Sequence, residues 1–128
     1  MVTDPISDFL IRISNASKVG KESVSVPSSK MVRSLATLLV REGYIVEADK
    51  NTKTNSMSVT LAYKNGRPAI NGVKRISKLS RRIYMGVVDI KPVKRGHGLL
   101  VLSTPAGVVT GKEAKLKRVG GEALFEIW

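Results

Sequence analysis

The chain has 128 residues, 42% of them hydrophobic and 25% charged, which suits one folded domain or two small ones sharing an interface and excludes a disordered segment. It has no cysteine, so disulfides, thiolate metal sites and cysteine nucleophiles are excluded. Lys and Arg number 22 against 10 Asp and Glu, a net charge of +12 that points to a polyanionic partner, nucleic acid first.

In chain order, Asp4 is placed to cap a helix that starts at Pro5 and runs to about Lys18, with Ile6, Phe9, Leu10 and Ile13 on one face. Val24 and Val26 alternate with serines as a short strand ended by Pro27, and Ser28 or Ser29 caps a second helix. That helix carries Val32, Leu35, Leu38 and Leu39 and stops at Gly43. Tyr44 to Ala48 reads as a strand, and Met57, Val59, Leu61 and Tyr63 alternate strictly with polar or small residues as another. Asn65-Gly66 is a tight-turn dipeptide.

Beyond that turn the composition changes. Lys64 to Arg118 holds 14 basic residues and two acids, whereas the rest of the chain has eight of each sign. Ile70, Val73, Ile76, Ile83, Val87, Val88 and Ile90 are expected to mark short strands whose basic neighbours decorate a sheet. Leu99 to Leu102 is a buried-strand run ending in Ser103-Thr104-Pro105-Ala106-Gly107. Thr110 and Glu113 form a capping box for a helix to about Arg118, which Gly120-Gly121 ends before a final strand, Glu122 to Trp128. The natural division falls near Asn65, giving units of 1–65 and 66–128. Neither a signal peptide nor a membrane span is expected, and cysteine-free composition suits a reducing cytoplasm.

The usual catalytic constellations cannot be assembled from one histidine and ten scattered carboxylates. His97 has no second histidine or cysteine to share a metal, and Gly96-His97-Gly98 leads into a strand rather than out of one, so it is no dinucleotide loop. Gly107 to Lys112 is one residue short of a phosphate loop, and Glu113 stands where Ser or Thr must hold magnesium. Asp4 and Asp8 suit a helix start for dipolar reasons alone. No cofactor, metal or small-molecule substrate is expected.

Recognition remains, and 5% aromatic content offers no stacking platform for single strands. A structured duplex fits better, with phosphates met by cations and the RNA minor groove by small hydroxyls and backbone donors. Ser103, Thr104 and Gly107 could form such a close-approach loop, or an ordinary hairpin turn, and residue types alone do not separate the two. The charge would also suit a DNA-compacting protein. An RNA-processing enzyme would need a carboxylate or histidine cluster assembled by the fold.

Ordered motifs across the chain resemble the family of small-subunit ribosomal protein number eight. They are Asp4-Pro5-Ile6-Ser7-Asp8-Phe9-Leu10 through Asn15, Val24 through Lys30, Glu42-Gly43-Tyr44-Ile45, Arg75-Ile76-Ser77-Lys78 with Arg82-Ile83-Tyr84, and Val119-Gly120-Gly121-Glu122 with Trp128. The resemblance implies an α+β fold of two small, tightly packed subdomains, the first α-β-α-β-β and the second mostly antiparallel β with one short helix. It implies a non-enzymatic cytoplasmic protein that binds the central domain of 16S ribosomal RNA and helps to assemble the small-subunit platform, beside ribosomal proteins numbers five and twelve. The RNA-binding residues it implies are Ser103, Thr104, Gly107, Tyr84 and Glu122, with Lys78, Arg81 and Arg82 as cations, and Arg12, Asn15, Ser29 and Lys30 in the first half. Glu122 is expected to hold a loop rather than accept from a base amine. Pro105 and Ala106 stand where that family usually has a hydroxyl and a cation.

Overall fold

The computed structural model describes residues 4–51 and 53–128. The chain forms two compact units, one ending at Asn71 and the other spanning Gly72–Trp128. The fold is α+β, with three α-helices and antiparallel sheets among the described residues.

In the first unit, helix α1 (Pro5–Lys18) begins where Asp4 accepts the Ser7 N–H at 3.2 Å and Pro5 occupies the first turn, a position that needs no amide donor. Strand β1 (Ser23–Pro27) follows, then α2 (Lys30–Arg41), which Ser29 caps by accepting from Val32 N at 3.2 Å. Strands β2 (Ile45–Asn51) and β3 (Ser56–Leu61) complete a three-stranded sheet of order β1-β3-β2. Phe9, Leu10 and Ile13 of α1, Leu35 and Leu39 of α2, and Val26, Met57 and Val59 of the sheet are all at most 2% exposed. They bury the apolar stripes predicted from the helical and strand periods.

Tyr63 leaves the strand in which its alternation places it. The chain breaks at Ala62, and Tyr63 joins a small hairpin of β4 (Tyr63–Lys64) and β5 (Arg67–Pro68). The Asn65-Gly66 turn there has φ of 54° and 76°, the left-handed pair that a two-residue hairpin requires.

The second unit is built around β10 (Gly121–Ile127), which pairs with β6 (Val73–Arg75), β7 (Tyr84–Met85) and β8 (Leu99–Thr104). Strand β9 (Gly107–Thr110) pairs with β8 and leads into α3 (Gly111–Lys117). The Thr110/Glu113 capping box forms as expected, through bonds of 3.1 and 3.3 Å. Ile90, Val93, Leu100, Leu102, Val109, Ala114 and Ala123 make one core cluster.

Three expectations for this unit are corrected. Of the apolar residues expected to mark strands only Val73 lies in one: Ile70, Ile76, Ile83 and Ile90 fall outside strands, and Val87–Asp89 is a 3₁₀ turn, braced by the Asp89 carboxylate accepting Gly86 N at 3.1 Å, with Val88 90% exposed. Strand propensity yields there to a local cap. Nor do the cations chiefly decorate a sheet, since Lys78, Arg81, Arg82, Lys91, Lys94 and Arg95 lie in loops and turns, and Lys112, Lys115 and Lys117 on α3. Finally, α3 stops where expected, at about Arg118, but Arg118 itself, in the left-handed conformation (φ 54°), forms the cap in place of the Gly120-Gly121 pair. The glycines serve strand approach instead: a Cβ on Gly121 would lie 2.2 Å from the Ser103 carbonyl oxygen, and one on Gly120 2.5 Å from that of Met85.

Candidate nucleic-acid interface

Register brings together residues far apart in sequence. On β10, Glu122 lies opposite Ser103 of β8 on one side and opposite Tyr84 of β7 on the other. Directly opposite residues share a face, so Ser103, Glu122 and Tyr84 form one row across three strands. Tyr84 is 71% exposed, while Ser103 and Glu122 are half-buried. The next residues along, Leu102 and Ala123, turn to the other face and into the core cluster.

The same alternation separates the two hydroxyls read as one loop. Thr104, 9% exposed, sits on the face opposite to Ser103. Its Oγ1 donates to the Gly107 carbonyl at 2.8 Å and accepts from Ala106 N at 3.2 Å. Thr104 therefore braces the β8–β9 turn from inside, across from Gly107, whose φ of 112° suits glycine. Pro105, Ala106 and Gly107 form the exposed tip. The segment is thus a hairpin turn, and it sets where Ser103 stands.

The cations Lys78, Arg81 and Arg82 are carried on a loop hung from Ser77. That serine is fully buried, and its Oγ donates to the Ile83 carbonyl at 3.1 Å while accepting from Ile83 N at 2.9 Å. Reciprocal backbone bonds between Lys78 and Arg81, 2.8 and 3.0 Å, close the loop tip. Ser77 N donates to Ala123 O and Ala123 N to Ile83 O, which docks the loop on β10 beside the row. The Arg82 Nη1 then reaches Glu122 Oε2 at 3.0 Å. Exposed ion pairs of this kind contribute about 0–1 kcal/mol, so this one orients Arg82 more than it stabilises the sheet. It also gives Glu122 a cation partner, in keeping with a loop-holding carboxylate.

The four first-unit residues divide differently. Arg12 is committed locally, its Nε donating to Asp8 Oδ2 at 2.9 Å and its Nη1 to the Ser25 carbonyl at 3.3 Å. The Ser29 hydroxyl is the cap of α2. Asn15 and Lys30 are exposed on α1 and at the start of α2.

Sequence reasoning gave no site role to Ser77 or Gly121, which position the cation loop and let β8 approach β10. A serine beside an apolar residue in a basic stretch carries no distinguishing local signal. The doubled glycine did carry one, but it fits a helix end equally well. Among the described residues there is no group of three or more His, Asp or Glu arranged to hold a metal. An open depression of about 750 Å³ in the first unit is lined by Gly43, Tyr63, Lys64, Asn65, Arg67, Asn71 and small neighbours, without a carboxylate or histidine. No helix among the described residues is long and apolar enough to cross a membrane.

Comparison with known proteins places this geometry in context. The family model described as Ribosomal protein S8 matches residues 4–128. The chain is 49% identical to the small ribosomal subunit protein uS8 of Nitratidesulfovibrio vulgaris (strain DP4), over all 128 residues and the full length of both proteins. It has the same identity and coverage against that of Oleidesulfovibrio alaskensis. Against that of Pediococcus pentosaceus it is 45% identical over 130 aligned positions, covering 99% of this chain and 98% of the relative.

Proposed function

The chain belongs to the Ribosomal protein S8 family, and on that premise we propose that, as a non-enzymatic constituent of the small ribosomal subunit, it binds the central domain of 16S ribosomal RNA and supports platform assembly. The observation that carries this reading is the Ser103–Glu122–Tyr84 row with the Arg82 loop beside it. It lies in a unit with twelve Lys and Arg against four Asp and Glu.

In this reading Lys78, Arg81 and Arg82 hold phosphates, which supplies affinity without sequence information. Ser103 and the exposed Tyr84 meet base edges, sugar hydroxyls or a ring face, while Thr104 and Gly107 set the turn and Glu122 sets Arg82. A small row at strand ends suits the wide, shallow minor groove of an RNA helix, where a bulky helix face would not be needed. In the first unit, Asn15 and Lys30 make a second RNA contact, with Arg12 and Ser29 holding the elements that carry them. Ribosomal proteins numbers five and twelve are the proposed neighbours in the assembled, cytoplasmic subunit.

The test is binding of the full-length protein to central-domain RNA and to a random duplex of equal length, from roughly 50 to 200 mM salt. A preference of about a thousandfold or more that survives the higher salt supports the reading. Equal affinities that fall steeply together would leave a generic polyanion binder and contradict it.

A further inference from the structure

The segment from Lys91 to Gly98 carries a feature that the row above does not use. Ile90 and Val93 enter the core of the second unit, whereas Lys91, Lys94, Arg95 and His97 are exposed. No Asp or Glu occurs between Asp89 and Glu113 in the sequence. Lys94, Arg95 and Gly96 have φ of 49°, 56° and 90°, three successive residues in the left-handed region, two of them with full side chains. Such a conformation is strained for L-residues and persists only where the surroundings enforce it.

The surroundings do so here. The Val93 carbonyl accepts from both Gly96 N and Gly98 N at 3.0 Å, and His97 N donates to the Lys94 carbonyl at 3.1 Å. Lys94 Nζ lies 4.4 Å from the centroid of the Trp128 ring, a cation–π contact. Trp128 is itself clamped by reciprocal backbone bonds of 3.0 Å to Gly72, so closely that a Cβ on Gly72 would stand 2.6 Å from the ring. Lys94 therefore has a packing role in the turn. Arg95 has none: its side chain is exposed, at a position that glycine or asparagine would fill with less strain. An exposed arginine on a strained turn whose flanking backbone is hydrogen-bonded is what charge recognition requires and stability does not.

We propose that the Lys94–Arg95 turn is a second anion site of this unit, in which Arg95, with Lys91 three residues before Lys94, binds the non-bridging oxygens of an RNA backbone phosphate. The planar guanidinium fork suits two such oxygens, and its rigid mount lowers the entropy lost on contact. Because a phosphate carries no base identity, the site adds affinity equally for cognate and random RNA. This inference rests on the RNA-binding reading above.

The experiment compares full-length wild type with Arg95→Gly and Arg95→Lys, by thermal melting and by salt-dependent binding to central-domain RNA and to a random duplex. Arg95→Gly is expected to melt at the same or a higher temperature, since glycine adopts the turn freely. It should bind both RNAs several-fold more weakly at low salt, with a log–log salt slope shallower by about one. Arg95→Lys should keep the wild-type slope. An unchanged slope for Arg95→Gly, in a background where wild type still prefers its cognate RNA, overturns the site and leaves the main interface standing. Loss of the cognate preference in wild type itself would instead contradict the RNA-binding reading, whatever Arg95 does to the slope.

Discussion

Both units expose a hydroxyl-bearing sheet face, yet the faces differ in what surrounds the hydroxyls. In the first unit the outer face of the sheet pairs Ser23 and Ser25 of β1 with Thr60 and Ser58 of β3, and these with Glu47 and Asp49 of β2. Carboxylates border that face, and Arg12, which reaches the Ser25 carbonyl, is also tied to Asp8. In the second unit a single row, Ser103–Glu122–Tyr84, stands beside Lys78, Arg81 and Arg82, and its one carboxylate is paired with Arg82. Small hydroxyls alone therefore do not set the proposed RNA face apart. What distinguishes the second face is a hydroxyl held between paired strands with exposed positive charge next to it.

The largest effect should come from parting the strands that build the row. Gly121→Ala places a Cβ 2.2 Å from the Ser103 carbonyl oxygen and 3.0 Å from Thr104 Cγ2, so β8 and β10 must separate. Overpacking of this kind costs about 1–3 kcal/mol or more, visible in urea unfolding, and the preference for cognate RNA should fall with it. An unfolding midpoint and a preference both equal to wild type would show that the close approach is not what sets the row.

Thr104→Ala follows in size. It removes the hydroxyl that bonds Gly107 O and Ala106 N inside the turn, and cognate binding is expected to weaken by about 1–3 kcal/mol through the displaced loop. Cognate affinity equal to wild type would mean that the turn has no bearing on RNA. Ser29→Ala sharpens the comparison from the other side. Loss of the α2 cap should lower stability by about 1 kcal/mol while the cognate-to-random ratio stays unchanged, as unfolding and binding measured on one preparation would show. The smallest change is expected for Lys78→Ala, a phosphate-type substitution that weakens cognate and random RNA alike and flattens the salt slope by about one. A shift in sequence preference would remove Lys78 from that role.

How much of this was legible in the sequence follows from how local each signal is. Asp4-Pro5, Ser29, Asn65-Gly66 and the Thr110/Glu113 box each satisfy backbone donors or turn dihedrals within a few residues, so residue identity suffices to place them. The positive half was also legible, whereas the twelve proposed RNA-contact positions came largely from family resemblance. What could not be read is pairing. That Glu122 stands between Ser103 and Tyr84, and that Thr104 faces away from Ser103, depend on β10 meeting β7 and β8 in one register, with a bulge between Ala123 and Phe125. Register is set by the whole sheet and carries no mark at any single residue. Val88 shows the converse error, a β-branched residue placed 90% exposed in a 3₁₀ turn because Asp89 caps Gly86.

The central claim is that the row supplies discrimination while the neighbouring cations supply affinity. Its most direct test is the cognate-to-random affinity ratio of full-length Ser103→Ala and Lys78→Ala, measured side by side at one physiological salt concentration. The account predicts a ratio lowered roughly tenfold or more for Ser103→Ala, the loss of a positioned groove contact, and a ratio equal to wild type for Lys78→Ala. An unchanged ratio for Ser103→Ala, or a collapsed one for Lys78→Ala, would contradict it.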